Sequence, residues 1–115
     1  MKRDVRLFLD DIFKSIALIE TYLQEVTEEY FHTSTEKQDL IVRRLEIIGE
    51  ATRHIPEEFR KQHADIPWQK MAGIRNILIH EYFGINFNTV WKTATQFLPP
   101  LKEQIKVLLR EAIKK

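Results

Sequence analysis

A chain of 115 residues is one domain by length and buries roughly two-thirds of its unfolded surface, so a core is affordable but not generous. Its hydrophobic content of 43% and charged content of 30% are those of a soluble globular protein, and a net charge of +1 argues against nucleic-acid binding by bulk electrostatics alone. With no cysteine, a disulfide framework, a thiol nucleophile and a thiolate metal site are excluded. No leader or apolar span of about 20 residues is visible, so the expectation is a cytoplasmic chain without a membrane contact.

Only 3 Gly and 4 Pro are present, which favours long helices over many short strands. Residues 3–30 carry Val5, Phe8, Ile12, Ile16, Ile19, Leu23, Val26 and Tyr30 in steps of three and four, the pattern of one long amphipathic helix. A flanking stripe of Leu9, Phe13 and Ala17 widens its buried face. The polar run from His32 to Thr35 offers helix caps, with capping-box spacing at Thr33/Glu36 and Thr35/Gln38. A second helix over about 36–54 is expected to bury Leu40, Ile41, Leu45, Ile48, Ala51 and Ile55. Gly49 in its interior marks a close helix–helix approach. Pro56 suits the start of a short helix over 57–63, and Pro67 the start of one over 67–83 that Gly84 ends. Asn86 can cap the last element, in which Pro99-Pro100 forces either a kink or two consecutive helices. The fold expected is an all-α up-and-down bundle of four to five helices, as a single domain over 1–115.

The segment Arg75-Asn76-Ile77-Leu78-Ile79-His80-Glu81-Tyr82-Phe83-Gly84 gathers an arginine, an amide, a histidine and a tyrosine in a few turns. Arginine grips a phosphate with two prongs and a permanent charge, and histidine moves a proton near neutral pH. Together they suffice to cut or transfer a phosphodiester without metal. The spacing alone is met equally well by a solvated Arg75-Asn76 pair and a helix-end His80 favoured by the dipole. Glu46 and Glu50 lie one turn apart in an otherwise apolar stretch and need donors. Arg75 is one candidate, and Arg43, Arg44 or Arg53 are the others. Glu50 and His54 share a face, with a surface ion pair the favoured reading. His32 and His63 fall in expected connections. Lys102, Lys106 and Arg110 form a stripe that Glu103 and Glu111 interrupt, as on a solvated face.

Arg75-Asn76-x-x-x-His80 matches the Arg-x4–6-His motif of the HEPN superfamily, and the whole chain resembles its small prokaryotic branch, the HepT-like proteins. The likeness extends through Arg44-Leu45-Glu46-Ile47-Ile48-Gly49-Glu50-Ala51, Pro67-Trp68, Met71-Ala72-Gly73-Ile74 and His80-Glu81-Tyr82-Phe83-Gly84. It implies a helical bundle that dimerises and places two motifs near a shared cleft. It also implies a metal-independent endoribonuclease toxin, needing no cofactor, from a type VII-like toxin–antitoxin module. Its antitoxin would be a minimal nucleotidyltransferase of the MNT type (MntA-like) that adds AMP to the motif tyrosine, here Tyr82. On this reading Arg75, His80 and Asn76 act on RNA, with Glu46 and Glu50 supporting them. The rival is a non-catalytic subunit that docks on the nucleotidyltransferase and holds phosphate without cleaving.

Overall fold

The computed structural model describes residues 4–79 and 84–114, with side chains at all of these except 77, 79 and 112–114. Helix α1 spans Val5–Tyr22, α2 Glu28–Thr33, α3 Thr35–Arg53 and α4 Glu57–Gln62. They are followed by α5 (Trp68–Ala72), α6 (Ile74–Ile79) and α7 (Phe87–Lys92), then a π-helical turn, Thr93–Phe97, leading into α8 (Leu98–Lys114). The fold is all-α, with no strand among the described residues. None of the described helices is long and apolar enough to cross a membrane.

The helices α1, α3 and α8 form the frame, with α5 and α6 laid along α3. Their shared core includes Leu9, Ile12, Ile16 and Ile19 of α1, Ile41, Leu45 and Ile48 of α3, and Leu98, Leu101 and Ile105 of α8. The core face of α1 is thus the expected seam at Ile12, Ile16 and Ile19, with Leu9 of the flanking stripe. Leu9 is fully buried, while Phe8 is only partly so. On α3, Leu40 lies at the margin of the buried face instead of within it.

The expected helix over 3–30 is two helices. After Tyr22 the chain turns through Leu23–Glu25, and Glu25 takes a positive φ of 59°, which no right-handed helix tolerates. Thr27 then starts α2 by accepting from the Tyr30 N–H at 3.1 Å, with Glu28 and Glu29 at the positive end of the helix dipole. Tyr30 is consequently exposed, and His32 closes α2 beside Glu28 instead of lying in a connection. Ser34, between the two residues given capping-box spacing, caps α3 by accepting from the Lys37 N–H at 3.2 Å. His63 stands at the end of α4, half-buried, its ring 4.6 Å from that of Phe59.

At the start of α1, Asp4 accepts from the backbone N–H and the guanidinium of Arg6. Those bonds, the side-chain one first, hold the Asp4 carboxyl below its usual range. At the far end of α3, Arg60 donates to the Thr52 carbonyl at 2.8 Å and to that of Ile55 at 3.1 Å. The α3 terminus is therefore closed by a side chain from α4.

The last element is helical through the proline pair. Pro99 and Pro100 cannot donate to the carbonyls of residues 95 and 96, so the preceding turn widens into a π-helical one and α8 continues without a loop. Of the two outcomes expected, this is two consecutive helices joined directly. Asn86 caps α7 as expected, accepting from the N–H groups of Asn88 and Thr89.

Candidate active site

The sequence 67–79 folds as two short helices in place of one. Gly73 is the joint: its carbonyl accepts from the Asn76 N–H at 3.0 Å, a tight three-residue closure, and glycine is the weakest helix former after proline. The joint brings Arg75 against the middle of α3. There Gly49 presents no side chain, and a Cβ at that position would lie 3.4 Å from the Arg75 backbone nitrogen and 3.6 Å from its Cβ. The close approach expected of Gly49 is therefore the contact that seats Arg75.

Arg75 faces a groove of about 460 Å³ between α1, α3 and α6. Its guanidinium lies 3.7 Å from a carboxylate oxygen of Glu50, with the Arg75 side chain 46% exposed and that of Glu50 56% exposed. The same Glu50 carboxylate meets His54 Nε2 at 3.1 Å, the i, i+4 pair expected on α3. His54 in turn stacks on Phe8 of α1, ring centroids 5.3 Å apart and planes within 14°. Glu50 therefore bridges Arg75 and a histidine fixed by an aromatic ring. A pair so exposed is weak, and the guanidinium can exchange its carboxylate for a phosphate.

Glu46 lines this groove but pairs with Arg43 at 3.6 Å, so of the two carboxylates proposed as support only Glu50 meets Arg75. Asn76 is exposed on α6 next to Arg75. His80 and Tyr82 lie outside the described residues, and Gly84, just beyond them, has a φ of 111° that suits glycine. Phe8, Asp11 and His54 line the groove although none was singled out for it. Phe8 and Asp11 come from α1, and no local spacing announces a junction between helices more than thirty residues apart. His54, at the end of α3, instead shares a face with Glu50 by its spacing. Among the described residues no group of three or more histidine and carboxylate side chains gathers as a metal site.

A family model described as "Ribonuclease HepT-like" matches residues 12–108. The chain is 42% identical over 108 residues to a protein of Thermococcus cleftensis named "Probable ribonuclease HepT", covering 94% of this chain and 98% of that one. It is 43% identical over 111 residues to "Gamma-glutamylcyclotransferase and putative RNase MJ0434" of Methanocaldococcus jannaschii, covering 96% of this chain. The match spans only 50% of that longer relative. A second protein of the same organism, "Putative RNase MJ1380", is 37% identical over 93% of this chain and 98% of its own length. No solved structure matches. The seating of Arg75 by Gly49 thus occurs in a chain that belongs to the HepT-like ribonuclease family.

Proposed function

We propose that this protein is a metal-independent endoribonuclease and the toxin of a toxin–antitoxin pair, working as a homodimer. The observation that carries the reading is the state of Arg75: half exposed, seated by its backbone on α3 and oriented by Glu50 across a 3.7 Å ion pair. Its relatives' names give an RNase, and the Arg75-x4-His80 spacing supplies the matching chemistry. The RNA 2′-hydroxyl loses its proton to His80 and its oxygen bonds to the adjacent phosphorus. The bond from phosphorus to the 5′-oxygen breaks, and that oxygen takes up a proton. A 2′,3′-cyclic phosphate and a 5′-hydroxyl result. Arg75 neutralises the phosphoryl oxygens as charge builds on them, and Asn76 orients His80 or phosphate. One histidine does not easily serve as base and acid in one turnover, and two motifs meeting in a dimer supply both.

Inactivation follows from Tyr82. When an MNT-type nucleotidyltransferase transfers AMP from ATP to its hydroxyl, the bond between the α- and β-phosphates breaks, pyrophosphate leaves and the phenol proton is released. The negative phosphate added two residues from His80 then competes with the RNA phosphate.

The deciding experiment incubates purified protein with RNA in EDTA, wild type beside Arg75→Ala and His80→Ala. Cleavage by wild type alone, with a cyclic phosphate end, is expected. Equal cleavage by the alanine variants overturns the assignment, and no cleavage by any form favours a phosphate-holding subunit of the nucleotidyltransferase. With nucleotidyltransferase and ATP, mass spectrometry should find AMP on wild type and none on Tyr82→Phe, which should keep its cleavage activity.

A further inference from the structure

The groove at Arg75 is poorly suited to holding a polyanion. Asp11, Glu46 and Glu50 line it together with Arg43 and Arg75, and the chain as a whole carries a net charge of only +1. On the ribonuclease reading, a second surface that holds the strand would complement it. Ile74, the residue before Arg75 and about 100° around the helix from it, lines a second groove of about 290 Å³ between α5–α6 and the π-helical turn. Lys70 and Lys92, both exposed, stand at this groove, and half-buried Phe97 contributes its ring. Among the described residues no carboxylate lines it. The Thr93 hydroxyl, also in its wall, already donates to the Thr89 carbonyl at 2.8 Å. Lys70 Nζ lies 5.4 Å from the centre of the Phe97 ring.

We propose that this groove is a subsite for single-stranded RNA, in which the Phe97 ring takes a base and Lys70 and Lys92 take phosphates of the strand presented to Arg75. The proposal rests on the ribonuclease reading for its substrate. Basic side chains around an aromatic face are what a single strand requires, since every base has a π-face and every linkage a charge. The contact between Lys70 and the ring is an exposed cation–π interaction, weak enough for the ammonium to move to a phosphate when a base arrives. The wide turn matters because it carries Phe97 at its end, and such turns recur at functional sites.

The test measures binding of a 2′-O-methylated single-stranded oligonucleotide, which has no 2′-hydroxyl to attack and is not cut. Wild type is compared with Lys70→Ala, Lys92→Ala and the double variant over a series of salt concentrations. Each lysine lost should lower the slope of log affinity against log salt by about 0.7, the value for one phosphate contact on a single strand. Phe97→Ala should weaken binding by about tenfold and Phe97→Tyr should restore it. Should Phe97→Ala fail to fold, the exposed lysines decide. Wild-type affinity and slope in the double lysine variant overturn the proposal. So does a double variant that keeps RNA affinity but loses an acidic protein partner, which would make the groove a protein interface. The two readings fail separately. Lysine-dependent binding without cleavage of native RNA by wild type removes the ribonuclease and keeps the subsite, and cleavage with lysine-independent binding does the reverse.

Discussion

Two grooves border the short α5–α6 segment, and their linings are opposite in kind. The one reached by Arg75 sets three carboxylates against two arginines and a histidine, with both arginines already paired. The one reached by Ile74 has two lysines and an aromatic ring and, among the described residues, no carboxylate. A nearly neutral chain cannot attract a polyanion everywhere, so charge placed locally has to do so. On the proposed reading, the difference is a division of labour. Arg75 sits where its backbone is seated on α3 and its charge is partly offset, a setting for acting on one phosphate. Lys70 and Lys92 sit where, among the described residues, no carboxylate lines the groove, a setting for holding a strand.

The sharpest way to break the comparison is at Arg75. Arg75→Ala and His80→Ala should each lower the single-turnover rate of cleavage in EDTA by about 10²–10⁴, without altering the oligomeric state in light scattering. Arg75→Lys should recover little, because an ammonium lacks the two-pronged geometry. Next in size is Gly49. Leucine there drives a side chain into the Arg75 backbone and should destabilise the fold by about 1–3 kcal/mol, read as a lowered Tm together with lost activity. Gly49→Ala, whose Cβ would sit at ordinary contact distance, should retain both. The smallest effect belongs to Glu50→Gln. An exposed ion pair contributes under about 1 kcal/mol, so kcat should fall by no more than about fivefold, while KM for RNA falls because a repelling charge is gone. An unchanged kcat would show that Glu50 does not orient Arg75.

The helical class, the Gly49 contact, the Asn86 cap and the Glu50–His54 pair were all legible in the sequence, because each depends on spacing within one element or on one residue's intrinsic preference. The break after Tyr22 was not, since the apolar period runs on through Leu23 and Val26 while the backbone turns at Glu25, a residue with no marked preference for positive φ. The division of α5 from α6 at Gly73 was hidden for a related reason: the glycine was visible, but whether it bends a helix depends on what the helix packs against. Arg75 is legible from its own motif. The stacking of Phe8 on His54, and the meeting of Lys70 with Phe97, are products of tertiary packing between distant segments.

The most direct test of the division of labour is steady-state cleavage of one single-stranded RNA in EDTA, with kcat and KM determined separately for Arg75→Ala and for the Lys70→Ala/Lys92→Ala double variant. The account predicts a collapse of kcat in the first, and in the second a raised KM with kcat near that of wild type. A double lysine variant with unchanged KM, or an Arg75→Ala variant altered in KM alone, would contradict it.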